Sequence, residues 1–222
     1  MAQMHSPNST KNLHMLGIIH RDERNGECVR RYLDRIAPDA VTIEFSPYGL
    51  QFRKNNNRRY AERLDSVRKC MHNEGVAVNE VALSELNAYI NTPSEYESAR
   101  AYCTETGTSL HLIDMNSHSR RNLNTSEELF SEENIRKVAA ADDRGLHKRE
   151  RILAELFFNA GINTAVYSHD MCVRDRHMYR IIQSLLQKKS CRHIVHITGW
   201  RHLRDPQQIF AQLDPVKVFP YD

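Results

Sequence analysis

Two short Gly-x-x-His motifs stand near opposite ends of the chain. Gly17-Ile-Ile-His20 closes the apolar run LHMLGII, and Gly199-Trp-Arg-His202 closes HIVHITG. Two further apolar runs carry an acid at or near their ends, Glu44 in VTIEF and Asp114 in LHLIDM. A carboxylate within an apolar run is costly unless a cation, a hydrogen-bond donor or a metal meets it. Each acid taken alone reads equally well as a strand-end cap, and a lone Gly-x-x-His is a common accident in a chain with twelve histidines. Together they suggest a site. Neutral imidazole and carboxylate suit zinc, manganese, cobalt or iron, which makes His20, His202, Glu44 and Asp114 the candidate ligands. The same groups without metal are equipped for general acid–base work. Gly17 and Gly199 let the chain turn sharply on leaving a strand, or let a ligand approach the backbone.

The segment SHDMCVRDRHMYRIIQSLL (168–186) opens a helix, with Asp170 read as its N-cap. Its charges would by default form a solvated face. Arg174 can also hold a substrate carboxylate or a developing oxyanion, and Asp175 can orient a histidine. Other candidates are weaker. His169-x-x-Cys172 reads as a helix-start turn. His193 and His196 face opposite sides of a strand. The basic run FRKNNNRRYAER (52–63) is short of aromatics and reads as a solvated helix start. Cys28, Cys70, Cys103 and Cys191 read as packing residues.

The elements that must position these groups alternate. Strands are expected over 13–19, 40–46, 109–115 and 193–199, with a last strand or tail at VKVFPYD. Helices are expected over 26–36, 58–75, 79–90, 93–107, 127–141, 146–160 and 170–188. Residues 116–126 read as a polar surface loop, with Thr125 and Glu128 placed as a capping box. NTAVYS reads as a short strand or link. The alternation predicts a single α/β domain over 13–222, with a largely parallel or mixed central sheet flanked by helices. Residues 1–12 are expected to form a flexible polar arm. In such sheets polar chemistry collects beyond the carboxyl ends of the strands, where the four motifs fall.

Composition narrows the function classes. The chain has 222 residues, 40% hydrophobic and 27% charged, as in an ordinary globular protein. A net charge of +3, with acids interleaved among the bases, argues against a nucleic-acid partner. Five cysteines with no Cys-x-x-Cys point to reduced thiols and the cytoplasm. No apolar stretch reaches membrane-spanning length, and the opening MAQMHSPNSTKN lacks the layout of a signal peptide.

The ordered set of segments resembles the TraB/Tiki superfamily, whose distant relatives include erythromycin-esterase-like and ChaN-like proteins. The matching segments are GIIH, APDAVTIEFS with Glu44, SEYESARAYCTETGTSLHLIDM, VRDRHM and GWRH, spanning roughly 13 to 203. The resemblance implies an α/β fold that gathers both histidines and the first glutamate at one site. Tiki-like members are metal-dependent peptidases, erythromycin-esterase-like members hydrolyse without an obligatory metal, and ChaN-like members bind haem or iron. The chain departs from the pattern at Val173, where the family has a glutamate, and in placing Arg53 far along from Glu44. The expectation is therefore a hydrolase of an amide or ester bond in a peptide or small molecule. It would be metal-dependent, built on His20, Glu44 and His202, with Arg174 stabilising charge and Asp114 and Asp175 orienting the histidines. With a metal, a carboxylate ligates or deprotonates the bound water; without one, His20 or Glu44 activates water directly. The alternative is a regulatory protein that holds a ligand or metal in the same pocket without turnover.

Overall fold

The computed structural model describes residues 12–141, 146–162 and 166–221. The expected N-terminal arm falls almost wholly outside them, as does part of NTAVYS; residues 166–168 of that segment carry no regular structure. Five strands form one parallel sheet in the order β3-β2-β4-β1-β5. They are β1 (Asn12–Ile18), β2 (Ala40–Ile43), β3 (Ser109–Leu112), β4 (His193–Gly199) and β5 (Val216–Val218). β4 lies at the centre, with Gly17 opposite Thr198 on one side and Ile43 opposite Ile197 on the other.

The period of two along the strands sorts their side chains onto two cores. Leu16, Ile18, Val41, Ile43, Val195 and Ile197 face one side. There they meet Val29, Tyr32 and Leu33 of α1 (Asn25–Ile36) and Tyr96, Ala99 and Tyr102 of α4 (Ser94–Thr106). Leu13, Met15, Ala40 and Ile194 face the other, against Met178, Ile182, Leu185 and Leu186 of α9 (His169–Leu186). α8 (Leu146–Ala160) adds Phe157 and Phe158 to that side. Ala37, in the left-handed conformation, ends α1.

A separate helical group has its own core. α2 (Pro47–Asn73) buries Tyr60, Leu64, Val67 and Met71, a stripe at helical spacing. The stripe packs on α3 (Glu80–Ile90) and α7 (Glu132–Ala140) through Leu83, Leu86, Ile90 and Ile135. The sequence reading placed the start of α2 near residue 58. Pro47 does stop the strand, but it also occupies the first helical turn, and the Ser46 hydroxyl accepts from Gly49 N at 2.8 Å to cap the helix there. Strands β2 and β3 are shorter than expected, which leaves Glu44 and Asp114 just beyond the sheet.

Other expectations are corrected. Residues 116–126 are not a loop: Asn116–Leu123 form α5, polar because only Leu123 turns into a core. The capping box at Thr125 is absent. The Thr125 hydroxyl instead donates to Asn122 O at 3.1 Å, and no side chain caps the short α6 (Ser126–Leu129). The single helix expected over 127–141 is broken at Phe130, which is buried against Tyr60, before Ser131 caps α7. Ser168, not Asp170, caps α9. Cys70 is exposed. Arg58, Arg59 and Arg63 of the basic run pair with Glu62 and Glu127, so these cations are already neutralised. Among the described residues no helix is long and apolar enough to cross a membrane.

Candidate active site

The candidate residues gather at the carboxyl edge of the sheet. Glu44 follows β2 directly, His20 and Asp114 each lie two residues past a strand, and His202 sits in the 3-10 turn Trp200–Arg204 that continues β4. α9 supplies the rest. Its buried stripe runs through Cys172, Asp175, Met178 and Ile182, so helical periodicity carries Asp175 into the core and sets Arg174 beside it.

Glu44 is the hub, with its side chain 4% exposed. One carboxylate oxygen receives Arg174 Nη2 and lies 3.1 Å from His202 Nε2. The other accepts from the Thr198 hydroxyl at 2.6 Å and from Gly199 N at 2.7 Å. Arg174 also grips Asp114 through two hydrogen bonds, Nε and Nη2 each at 2.9 Å. His202 Nδ1 bonds Asp175, whose second oxygen accepts from the Tyr167 hydroxyl at 2.5 Å. An imidazole set between two carboxylates is held as the cation. Burial opposes that charge, but Glu44 and Asp175 outweigh it and raise the His202 pKa to about 10. Burial likewise opposes ionisation of Glu44, and the His202 and Arg174 charges reverse it, holding the carboxyl well below its ordinary value.

His20 differs from this closed network. Its side chain is 56% exposed on the wall of a cavity, with Nδ1 3.8 Å from Glu95. Burial works against its charge, while Glu95 and Glu44 favour it, and the pKa is raised above 6.5. Glu95, at the start of α4, is itself buried and accepts from Asn25 Nδ2 at 3.2 Å. His20 and Arg21 form the centre of a tight turn closed by Asp22 N donating to Ile19 O at 3.1 Å, in which Arg21 is left-handed, with φ 68°.

The two glycines have different tasks. A side chain at Gly199 would place its Cβ 2.6 Å from His20 Nε2, so the missing methyl makes room for that imidazole. The φ of −57° at Gly199 is open to any residue, and no special turn is needed. Gly17 lines neither cavity at this edge. Its open side is filled by Leu203 and by the backbone of Trp200, which makes it a packing glycine.

Two adjoining cavities, of about 550 and 390 Å³, share His20, Glu44 and Arg174 in their walls. The larger is closed opposite the sheet by residues of α2, α3 and α5, among them Arg53, Tyr89, His118 and Ser119. Gly199 and His202 line the smaller. Sequence reasoning did not single out Glu95, Thr198, Tyr167 or Tyr89. Glu95 left one signal, an acid in the first turn of a helix otherwise patterned for burial. Val173 is 38% exposed and lines neither cavity, so the position the resemblance gives to a glutamate lies off these walls. His169 is exposed while Cys172 is buried, as befits a helix start.

As arranged, the four proposed metal ligands do not form an open cage. His202 is bound at both nitrogens, and one guanidinium covers oxygens of both Glu44 and Asp114. A divalent cation would have to displace Arg174. Comparison with protein-family models, with curated proteins and with solved structures finds no match to this chain.

Proposed function

We propose that this chain is a hydrolase of an amide or ester bond in a peptide or small molecule, of the TraB/Tiki kind its sequence resembles. The observation that carries the reading is the meeting of His20 and His202, which are 182 positions apart, with Glu44 and Arg174 on one pair of cavities. A volume of about 550 Å³ suits a substrate of two or three residues.

The division of labour follows from what each group has left to offer. Glu44 is a poor base, because both its oxygens are occupied and its charge is held by neighbouring cations. His20 faces open space and is the better candidate to take a proton from water. The water oxygen then attacks the substrate carbonyl, and the imidazolium returns the proton to the leaving amine or alcohol. Arg174 Nη1 makes no hydrogen bond to the described residues and can donate to the developing oxyanion. Asp175 and His202 hold Glu44, and through it Arg174, in place. The five cysteines form no disulfide among the described residues, in keeping with a reducing cytoplasmic setting.

Turnover of ester and dipeptide libraries by the whole protein is the test, with elemental analysis before and after chelation. His20→Ala should lower kcat/KM by about a hundredfold or more. Full activity in that variant overturns the reading. Loss on chelation with recovery in zinc or manganese would assign the chemistry to a cation and require Arg174 to move. The second reading, a ligand-holding regulatory protein, draws on the closed Glu44 network; ligand retention with no turnover would favour it.

A further inference from the structure

Three arginines line the larger cavity. Arg174 holds Glu44 and Asp114, and Arg121 holds Asp170. Arg53 pairs with no carboxylate among the described residues. Its Nη1 donates to Gly49 O at 3.3 Å one turn back, its guanidinium lies over the Phe45 ring at 5.3 Å, and its buried Nε has no partner among the described residues. Burial works against this cation and lowers its pKa. Tyr89 offsets part of that, Arg21 adds repulsion, and Glu95 offsets a little more. A half-buried guanidinium with a buried, orphaned Nε is poorly compensated and favours an anionic partner.

A second donor stands beside it. Gly49 N donates to Ser46 Oγ, and the Ser46 hydroxyl donates to Ser119 Oγ at 2.7 Å. In this relay the Ser119 hydroxyl accepts, and its own proton has no acceptor among the described residues. Arg53 Nη1 and Ser119 Oγ lie 3.3 and 3.4 Å from the point a Cβ on Gly49 would occupy, so the two donors converge. Ser119 also lines the cavity.

We propose that Arg53 and Ser119 form an anion subsite, and that the substrate carries a carboxylate seated there while its scissile bond lies at His20. This deepens the hydrolase reading and rests on it for the words "scissile bond". The carboxylate binding does not depend on turnover. A planar carboxylate matches the guanidinium fork, and charge-assisted bonds of this kind discriminate strongly against a neutral group.

Two measurements separate the claims. Binding to the whole protein is read by calorimetry with 3-phenylpropanoate and with 3-phenylpropan-1-ol, neither of which can be hydrolysed. The acid should bind about tenfold or more tighter. That preference should fall below about twofold in Arg53→Met and survive in part in Arg53→Lys, with the thermal midpoint of each variant confirming that it is folded. Equal affinity, no binding of either probe, or an undiminished preference in folded Arg53→Met overturns the subsite. Should Arg53→Met not fold, the wild-type preference together with its reduction in Arg53→Lys decides the matter. Turnover is read separately with acetyl-Ala-Ala and its C-terminal amide. Carboxylate-selective binding with neither substrate cleaved keeps the subsite and removes the hydrolase. Equal cleavage of both without selective binding does the reverse.

Discussion

At Gly199 the presence or absence of one methyl decides where the His20 imidazole can sit. Alanine is comfortable at that backbone conformation, yet its Cβ would lie 2.6 Å from His20 Nε2, so the ring must move. Gly199→Ala should therefore lower kcat/KM by about a hundredfold while the thermal midpoint shifts little. Unchanged activity would show that the His20 position is irrelevant to turnover. Glu95 sets the second residue-level expectation. The base works unprotonated, so kcat/KM should rise with pH through the His20 pKa, which lies above 6.5. Glu95→Gln keeps an acceptor for Asn25 but removes the charge that favours the imidazolium. The rising limb should then move to lower pH. A pH–rate profile in which the limb stays put would mean that another group is the base. Val173 illustrates the limit of residue-level reading. A substitution in a matched motif suggested a missing acid, but a residue's place on a helix face cannot be seen from the motif alone.

Two elements carry buried histidines with opposite pH consequences. His196 lies on the α9 side of β4, bonded at Nδ1 to Thr42 at 3.0 Å, and its buried Nε2 has no partner among the described residues. Burial lowers its pKa to about 4. The unfolded chain takes up a proton near pH 6.5 that the fold refuses. Stability linked to His196 is thus intact above that pH and lost as pH falls toward 4. Between pH 7 and about 4.5 the loss is about 2 kcal/mol. Urea unfolding of His196→Gln at both pH values should show the difference shrinking by that amount; an equal acid loss in both proteins would sink the assignment. His202, with its pKa raised to about 10, contributes stability fully below pH 6.5 and loses it as pH rises through 10. Most of this architecture was legible from alternation and punctuation. LHMLGII, AVTIEF and HIVHITG announced the central strands, and the polar residues that ended them announced the site. The cap was less legible. Helix α5 hides because NSHSRRNL serves a wet cavity wall and spends its polar residues there, leaving no apolar stripe. Glu95 hides because its partners, Asn25 and His20, come from elements far away in sequence.

Across the whole molecule, the site belongs to no single segment. Glu44 follows β2, Asp114 follows β3, Arg174 and Asp175 ride on α9, and His202 follows β4, so each charge is balanced by one from a different region of the chain. The cavity is in turn closed by a helical group with a core distinct from the two that flank the sheet. That division places Arg53 of α2 on one body of packing and His20, Glu44 and His202 at the edge of another.

The central place of β4 also has a temporal consequence. Its partners Asn12 and Ala40 precede His193 and Ile194 by more than 150 residues. During synthesis β1 and β2 must wait, each with an unpaired edge turned toward the gap that β4 will fill. The acids Glu44 and Asp114 are made long before the cations Arg174 and His202 that neutralise them. A nascent chain therefore holds the negative half of its site in water until its final quarter emerges, and burial of those charges becomes one of the last events of folding.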